Sequence, residues 1–242
     1  MGSGGEPAFA RRDFGGAGNA AAGRGIGRDQ VSERPRYIAV EGPIGVGKTT
    51  LAELLAAELG AQLVCEQPDE NPFLSAFYKD PRRNAMSTQL FYLLQRYQQQ
   101  GELVQGDLFV RGGIVADYLF AKDRLFASLT LSNDELALYE RIYQMLRPRV
   151  ATPDLVVYLQ APTPVLLERI RHRGRAAEKP IRTEYVEQVS QAYAEFFFRY
   201  EEGPLLIVDV SELDFLANAD HRAELFSVIR RTRAGVNHWT RR

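Results

Sequence analysis

This chain has little cysteine, no long apolar run and no excess of either charge. Its one cysteine, Cys65, leaves no partner for an intramolecular disulfide and excludes a cysteine-based zinc centre. A lone thiol fits a reducing compartment, so the cytoplasm is the expected location. No apolar stretch approaches the roughly 18 residues that a membrane helix needs, so no membrane partner is expected. The 30 basic and 31 acidic side chains nearly cancel, so no global field draws the chain to nucleic acid or anionic lipid. What is there is an ordinary globular balance, 45% hydrophobic and 25% charged over 242 residues, sufficient for one sizeable core.

The first 35 residues are rich in glycine, alanine and arginine and hold few large apolar side chains. They cannot offset the entropy of ordering and read as a disordered leader. They lack the apolar centre of a secretory signal, and Glu6, Asp13 and Asp29 weigh against an organelle transit peptide. From residue 36 onward, short β-rich runs alternate with helical ones. Five strands are expected, in RYIAVEG (36–42), AQLVCE (61–66), GGIVADY (112–118), DLVVYLQ (154–160) and PLLIVDV (204–210). Continuous apolar runs separated by helices predict an α/β fold with a parallel sheet covered on both faces. TTLAELLAAELG stops at Gly60, a natural helix terminator. Met86, Leu90, Leu93, Leu94 and Tyr97 recur at helical spacing, and TPVLLERIRHR offers Thr163 as N-cap with Pro164 at the first helical position. One domain over residues 36–215 follows, with 216–242 as a helical extension or tail.

Gly42-Pro43-Ile44-Gly45-Val46-Gly47-Lys48-Thr49, followed by Thr50, matches G-x-x-x-x-G-K-[ST] in full, between a strand and a helix. The glycines let successive backbone N–H groups converge on an anion at a helix N-terminus. Lys48 can reach the β- and γ-phosphates, and the Thr49 hydroxyl can ligate Mg²⁺. A chance match in a chain this long is on the order of 1% at typical residue frequencies, so a P-loop fold that binds a nucleoside triphosphate with Mg²⁺ is expected.

Ligands of such sheets bind beyond the carboxyl ends of the strands. Glu66 follows the second strand there and can take a proton from an attacking hydroxyl, although position alone leaves it equally a surface glutamate. Asp117 ends the third strand, facing metal and phosphates or capping a helix. Arg169, Arg171, Arg173 and Arg175 cluster after the fourth strand. Arg169 and Arg173 share one helical face, and Gly174 breaks the helix before Arg175. Such a run is a solvated face or a flap whose guanidinium groups suit phosphoryl-transfer charge; the second reading is preferred, and it makes the segment an arginine-rich lid. Gln89 and Arg96 lie seven apart on one face. A glutamine amide suits a base edge, but position alone reads both as plain exposed polar residues.

Taken together, GPIGVGKTT, EQPDENPFLSAFYKD, QLFYLLQR, DYLFAKDRLFA and RIRHRGRAAE resemble the deoxyribonucleoside kinase family, relatives of thymidine and thymidylate kinases, over residues 36–215. The resemblance implies Glu66 as general base for a sugar 5′-hydroxyl and Tyr78 at the 3′-hydroxyl, where it crowds out a 2′-hydroxyl. It implies Gln89 reading the base, with Arg96 and Asp123 in the pattern of purine- and deoxycytidine-accepting members. Arg169, Arg173 and Arg175 correspond to lid arginines, and Glu178 to a lid glutamate near the 3′-hydroxyl. A helix-mediated homodimer is implied as well. The family's usual acid-Arg-Ser after the third strand is Asp117-Tyr118-Leu119 here. The arginine that normally helps hold the nucleoside's 5′ end and the base acid is therefore absent. Thr88 stands where an aromatic residue is usual.

The expected activity is transfer of the ATP γ-phosphoryl group to a deoxynucleoside 5′-hydroxyl, with deoxyadenosine or deoxyguanosine as acceptor. Two rivals stand beside it. A nucleoside monophosphate kinase of thymidylate kinase type needs cations for the acceptor's phosphate; Tyr118 is not one, and Arg96 is the available substitute. A non-catalytic nucleotide-binding subunit does not require Lys48, Thr49, Glu66 and the lid arginines together.

Overall fold

The computed structural model describes residues 37–106, 113–147 and 150–241. The expected leader, residues 1–35, lies outside them. Six strands form one parallel sheet in the order β2-β3-β1-β4-β5-β6. They are β1 (Tyr37–Glu41), β2 (Gln62–Val64), β3 (Ile114–Ala116), β4 (Leu155–Gln160), β5 (Leu205–Asp209) and β6 (Val236–Thr240). The helices are α1 (Lys48–Leu59), α2 (Leu74–Lys79), α3 (Pro81–Gly106), α4 (Lys122–Thr130), α5 (Asn133–Leu146), α6 (Thr163–Arg173), α7 (Thr183–Phe198) and α8 (Ala219–Arg231). Among the described residues no helix is long and apolar enough to cross a membrane.

The five expected strands are present. The difference is the sixth, β6, inside the segment read as a helical extension or tail; α8 and β6 both lie there. β6 pairs with β5 along an edge of the sheet and is mostly exposed, so VNHWT carries no continuous apolar run for a sequence reading to detect.

Alternation along the strands explains the two main cores, because successive side chains point to opposite faces. Ile38 and Val40 pack with Leu51 and Leu55 of α1, Leu166 of α6 and Leu225 of α8. Tyr37 and Ala39 face the other side, against Leu125 of α4 and Val189, Tyr193 and Phe197 of α7. A third cluster joins Leu93 of α3 with Phe120, Ala127, Tyr139 and Tyr143. Of the expected apolar stripe on α3, Leu93 is buried and Met86, Leu90 and Tyr97 pack against that cluster, but Leu94 is exposed.

Gly60 ends α1 in the left-handed region, as expected. α6 begins one residue earlier than predicted: Pro162 is its N-cap, and Thr163 makes no capping hydrogen bond. Proline has no hydroxyl to cap with, and its fixed φ suits a helix entry without one. β1 sits centrally, and the chain builds outward from it on both sides. A crevice therefore opens beyond its carboxyl end, where the glycine loop begins.

Candidate active site

The loop after β1 takes its shape from backbone that only glycine tolerates. Gly42 and Gly45 have φ of 151° and 85°. A Cβ on Gly42 would lie 2.4 Å from the Leu159 carbonyl oxygen, and one on Gly45 would lie 2.7 Å from that of Leu166. Lys48 Nζ donates to the carbonyls of Gly42 (2.7 Å) and Pro43 (3.1 Å). Burial, then the nearby Lys122 cation, pull the Lys48 ammonium below the ordinary lysine range. Gly45 through Thr50 line one side of a cleft of about 780 Å³; Arg169 and Arg173 of α6 and the Ser211–Leu216 loop line the other.

Asp117 connects this loop to the next strand end. Thr49 Oγ1 donates to Asp117 Oδ2 at 2.6 Å, and the Glu66 backbone N–H donates to Asp117 Oδ1 at 2.7 Å. Asp117 is not a helix cap, since α4 begins at Lys122 after Ala121. Glu66 is only 17% exposed, so it is not a surface glutamate. Its Oε1 accepts from Arg96 Nε at 2.9 Å and from Arg96 Nη2, and Lys122 Nζ lies 2.7 Å away. Burial works to raise the Glu66 pKa, but the Arg96 and Lys122 cations override it and hold the carboxyl well below the usual range.

A second pocket extends from Lys48, Thr49, Glu66 and Asp117 toward α2, α3 and α7. Its walls include Tyr78, Gln89 and Arg96 and, from the end of α6 and the turn after it, Arg173, Arg175 and Glu178. Gln89 and Arg96 are buried rather than exposed. Gln89 Nε2 donates to Thr130 Oγ1 at 3.2 Å, while Thr130 Oγ1 itself donates to the Phe126 carbonyl at 2.7 Å. Arg96 also forms an ion pair with the fully buried Asp123 and lies over the Tyr92 ring, 5.0 Å from its centroid. The Tyr78 ring packs edgewise on Tyr185 at 6.2 Å, and burial pushes its hydroxyl well above the usual range.

The arginine cluster divides. Arg169 Nη1 and Nη2 donate to the carbonyls of Val46 (3.1 Å) and Val210 (2.9 Å), so this guanidinium fastens the glycine loop to the end of β5. Arg173 Nη2 donates to Glu178 Oε1 at 2.6 Å, and Arg175 approaches the same oxygen at 4.0 Å. Glu178 Oε2 is buried and has no hydrogen-bond partner among the described residues.

Two buried residues of the site, Glu41 and Lys122, escaped the sequence reading. Glu41, at the end of β1, accepts from the Gly42 N–H (3.1 Å), the Leu119 N–H (2.7 Å) and the Tyr193 hydroxyl (2.7 Å). Lys122 Nζ lies 3.4 Å from Glu41 Oε1. The available signal was a carboxylate closing an apolar strand and a lysine inside the apolar stretch LFAKDRLF. Burial, then Asp117, push the Cys65 thiol up to about 12.

Residues 38–232 match the family model described as deoxynucleoside kinase. The match runs past residue 215 through α8. The chain is 37% identical over 188 residues to a deoxyguanosine kinase of Bacillus subtilis (strain 168), covering 75% of this chain and 90% of that one. It is 34% identical to a deoxyadenosine kinase of Dictyostelium discoideum, covering 66% of each. Among solved structures, deoxyadenosine kinase from M. mycoides with bound dATP aligns with a TM-score of 0.69 and 26% identity, over 80% of this chain and 98% of that one.

Proposed function

Since this chain belongs to the deoxynucleoside kinase family, it is an ATP-dependent deoxynucleoside kinase, and we propose that its acceptor is the 5′-hydroxyl of a purine deoxynucleoside, deoxyguanosine or deoxyadenosine. The observation that carries the reading is the placement of Glu66 in one pocket with Lys48 and Thr49 of the glycine loop and Gln89 and Arg96 of α3. An acceptor hydroxyl beside Glu66 would then share one pocket with a phosphate held by the loop. The relatives named deoxyguanosine and deoxyadenosine kinase support the purine.

The chemistry follows from position and charge. The loop N–H groups and Lys48 hold the triphosphate, Glu66 accepts the proton of the 5′-hydroxyl as it attacks the γ-phosphorus, and the bond from that phosphorus to the β-phosphate oxygen breaks to release ADP. Arg173 and Arg175 lie where they can offset charge on the transferred group. The paired oxygens of Thr49 and Asp117 fit Mg²⁺, a hard ion that takes one or two protein oxygens and leaves its other positions to phosphate and water. Held there, the ion would supply positive charge against the triphosphate. Tyr78 and the unpartnered Glu178 Oε2 would receive the 3′-hydroxyl. Gln89, with Arg96 and Asp123, would read the base. A monophosphate acceptor is disfavoured because the buried cations Arg96 and Lys122 already face carboxylates.

The protein is further proposed to be a cytoplasmic homodimer. Leu138 and Met145, seven residues apart on one face of α5, are exposed and offer an apolar contact; light scattering at micromolar concentration tests it. The acceptor is tested by a coupled assay with ATP and Mg²⁺ on the four deoxynucleosides, their monophosphates and adenosine. The highest kcat/KM is expected on deoxyguanosine or deoxyadenosine. A preference for thymidine, deoxycytidine or any monophosphate overturns the purine assignment.

A further inference from the structure

The third strand is followed by Asp117-Tyr118-Leu119, with no arginine beside the acid. Tyr118 is fully buried and supplies no cation. The cation at this place comes instead from the first residue of α4. Lys122 Nζ lies 2.7 Å from Glu66 Oε1 and 3.4 Å from Glu41 Oε1, and its side chain is 3% exposed. A lysine this deeply buried is retained only where carboxylates compensate its charge.

We infer that Lys122 is the positioning residue of the phosphoryl transfer, clamping Glu66 so that one carboxylate oxygen stays aimed at the acceptor hydroxyl. The inference rests on the kinase reading above. Arg96 and Lys122 approach Glu66 from α3 and α4, and all three contacts fall on Oε1. Two cations gripping the same oxygen from two helices fix the rotation of the carboxyl group. Oε2, which takes none of these contacts, is the oxygen left for the acceptor. The backbone of Glu66 is fixed independently by Asp117.

Lys122 is itself held. Glu41, at the root of the glycine loop, also accepts from the Gly42 N–H, the Leu119 N–H and the Tyr193 hydroxyl. The chain of contacts Tyr193, Glu41, Lys122, Glu66 therefore runs from α7 across the start of the phosphate loop to the proton acceptor. It makes the position of that acceptor depend on the loop that positions the phosphorus. A misplacement of about 1 Å between the two reacting partners can cost on the order of 100-fold in rate.

The test is a double-mutant cycle between Lys122→Met and Glu66→Gln, measured as kcat and KM with ATP and the preferred deoxynucleoside. Lys122→Met is expected to lower kcat roughly 10- to 100-fold while the KM for ATP stays within about twofold. In the Glu66→Gln background the same change is expected to cost less than about twofold, because the group it positions is already disabled. Lys122→Arg, which keeps the cation, is expected to recover most of the loss. If Lys122→Met unfolds the protein by stranding Glu41, the cycle is run with Glu41→Gln as the parent and Glu41→Gln/Lys122→Met as the variant. Wild-type kcat in Lys122→Met, or equal losses in both backgrounds, overturns the inference and leaves the kinase reading intact. A wild-type protein that phosphorylates no deoxynucleoside overturns the kinase reading, and the inference with it.

Discussion

Thr49 Oγ1 donates to Asp117 Oδ2 across 2.6 Å, joining the first turn of α1 to the end of β3. The other carboxylate oxygen of Asp117 takes the Glu66 N–H. One side chain thus ties the glycine loop to the Glu66 backbone. Asp117→Ala is expected to lower kcat by about 100-fold or more, because it disturbs the phosphate side and the Glu66 backbone at once. It should also raise the Mg²⁺ concentration needed for half-maximal rate. Steady-state kinetics across a Mg²⁺ titration check both, and an unchanged Mg²⁺ requirement would remove Asp117 from the metal's environment.

Thr130 governs the orientation of Gln89. Its hydroxyl proton is committed to the Phe126 carbonyl, so toward Gln89 it acts as an acceptor and takes the Nε2 end. Gln89 Oε1 is thereby directed away from Thr130. Thr130→Val keeps the shape but leaves the amide unanchored, at a cost of about 1 kcal/mol in orientation. The expected result is a several-fold rise in KM for the deoxynucleoside, no change in KM for ATP, and weaker discrimination among bases. Equal KM values for all four deoxynucleosides before and after the change would detach Thr130 from base reading.

Local rules made part of this molecule legible. The buried run Tyr37–Glu41, the glycine loop and the helix behind it follow from alternation, φ preferences and helix-end charge, all of which act within a dozen residues. Glu66 and Asp117 were placed by one topological rule, that ligands gather at strand ends. The burial of Gln89 and Arg96 was not legible. On α3 they look like polar surface, and what covers them is an ion pair with Glu66 and Asp123 and a hydrogen bond to Thr130, far along the chain. Lys122 was missed for the same reason, since its partners Glu41 and Glu66 lie on two different strand ends. Helical spacing puts Arg169 on one face with Arg173 but does not report the Val46 and Val210 carbonyls that its guanidinium meets. β6 escaped because an edge strand needs no apolar run.

The buried tyrosines define an alkaline limit to stability. Burial raises the phenols of Tyr37 and Tyr158 from the ordinary 10 to about 12. Both are neutral in the folded and unfolded chains below pH 10. Between about 10 and about 12 the unfolded chain loses these protons first, so it is favoured, and stability falls as pH rises. The midpoint of thermal unfolding is expected to hold steady up to about pH 9.5 and then drop steadily. Absorbance at 295 nm should show a fraction of the tyrosines ionising only together with unfolding. Full tyrosine ionisation near pH 10 with the fold intact would contradict the burial of these rings.

Arg169 separates two kinds of arginine in the same cluster. Its two amino groups donate to Val46 and Val210, one carbonyl in the glycine loop and one at the end of β5. A planar fork holds two separated acceptors from fixed positions; an ammonium on a flexible stem has its donors on one atom and lacks that span. Arg169→Lys keeps the charge and loses the bridge. If this residue acts chiefly through the bridge, the substitution lowers stability by about 1–2 kcal/mol, or roughly 2–8 °C in Tm for a domain of this size. It also raises the KM for ATP, because both walls of the triphosphate cleft are released. If Arg169 acts chiefly as a phosphate cation, Arg169→Lys leaves Tm unchanged and Arg169→Ala alone lowers kcat. Arg173, whose guanidinium meets the Glu178 side chain rather than backbone, supplies the internal comparison. Arg173→Lys keeps a cation facing Glu178, so it is expected to leave Tm within about 1 °C and to act on kcat, where a cation lining the pocket meets the transferring group.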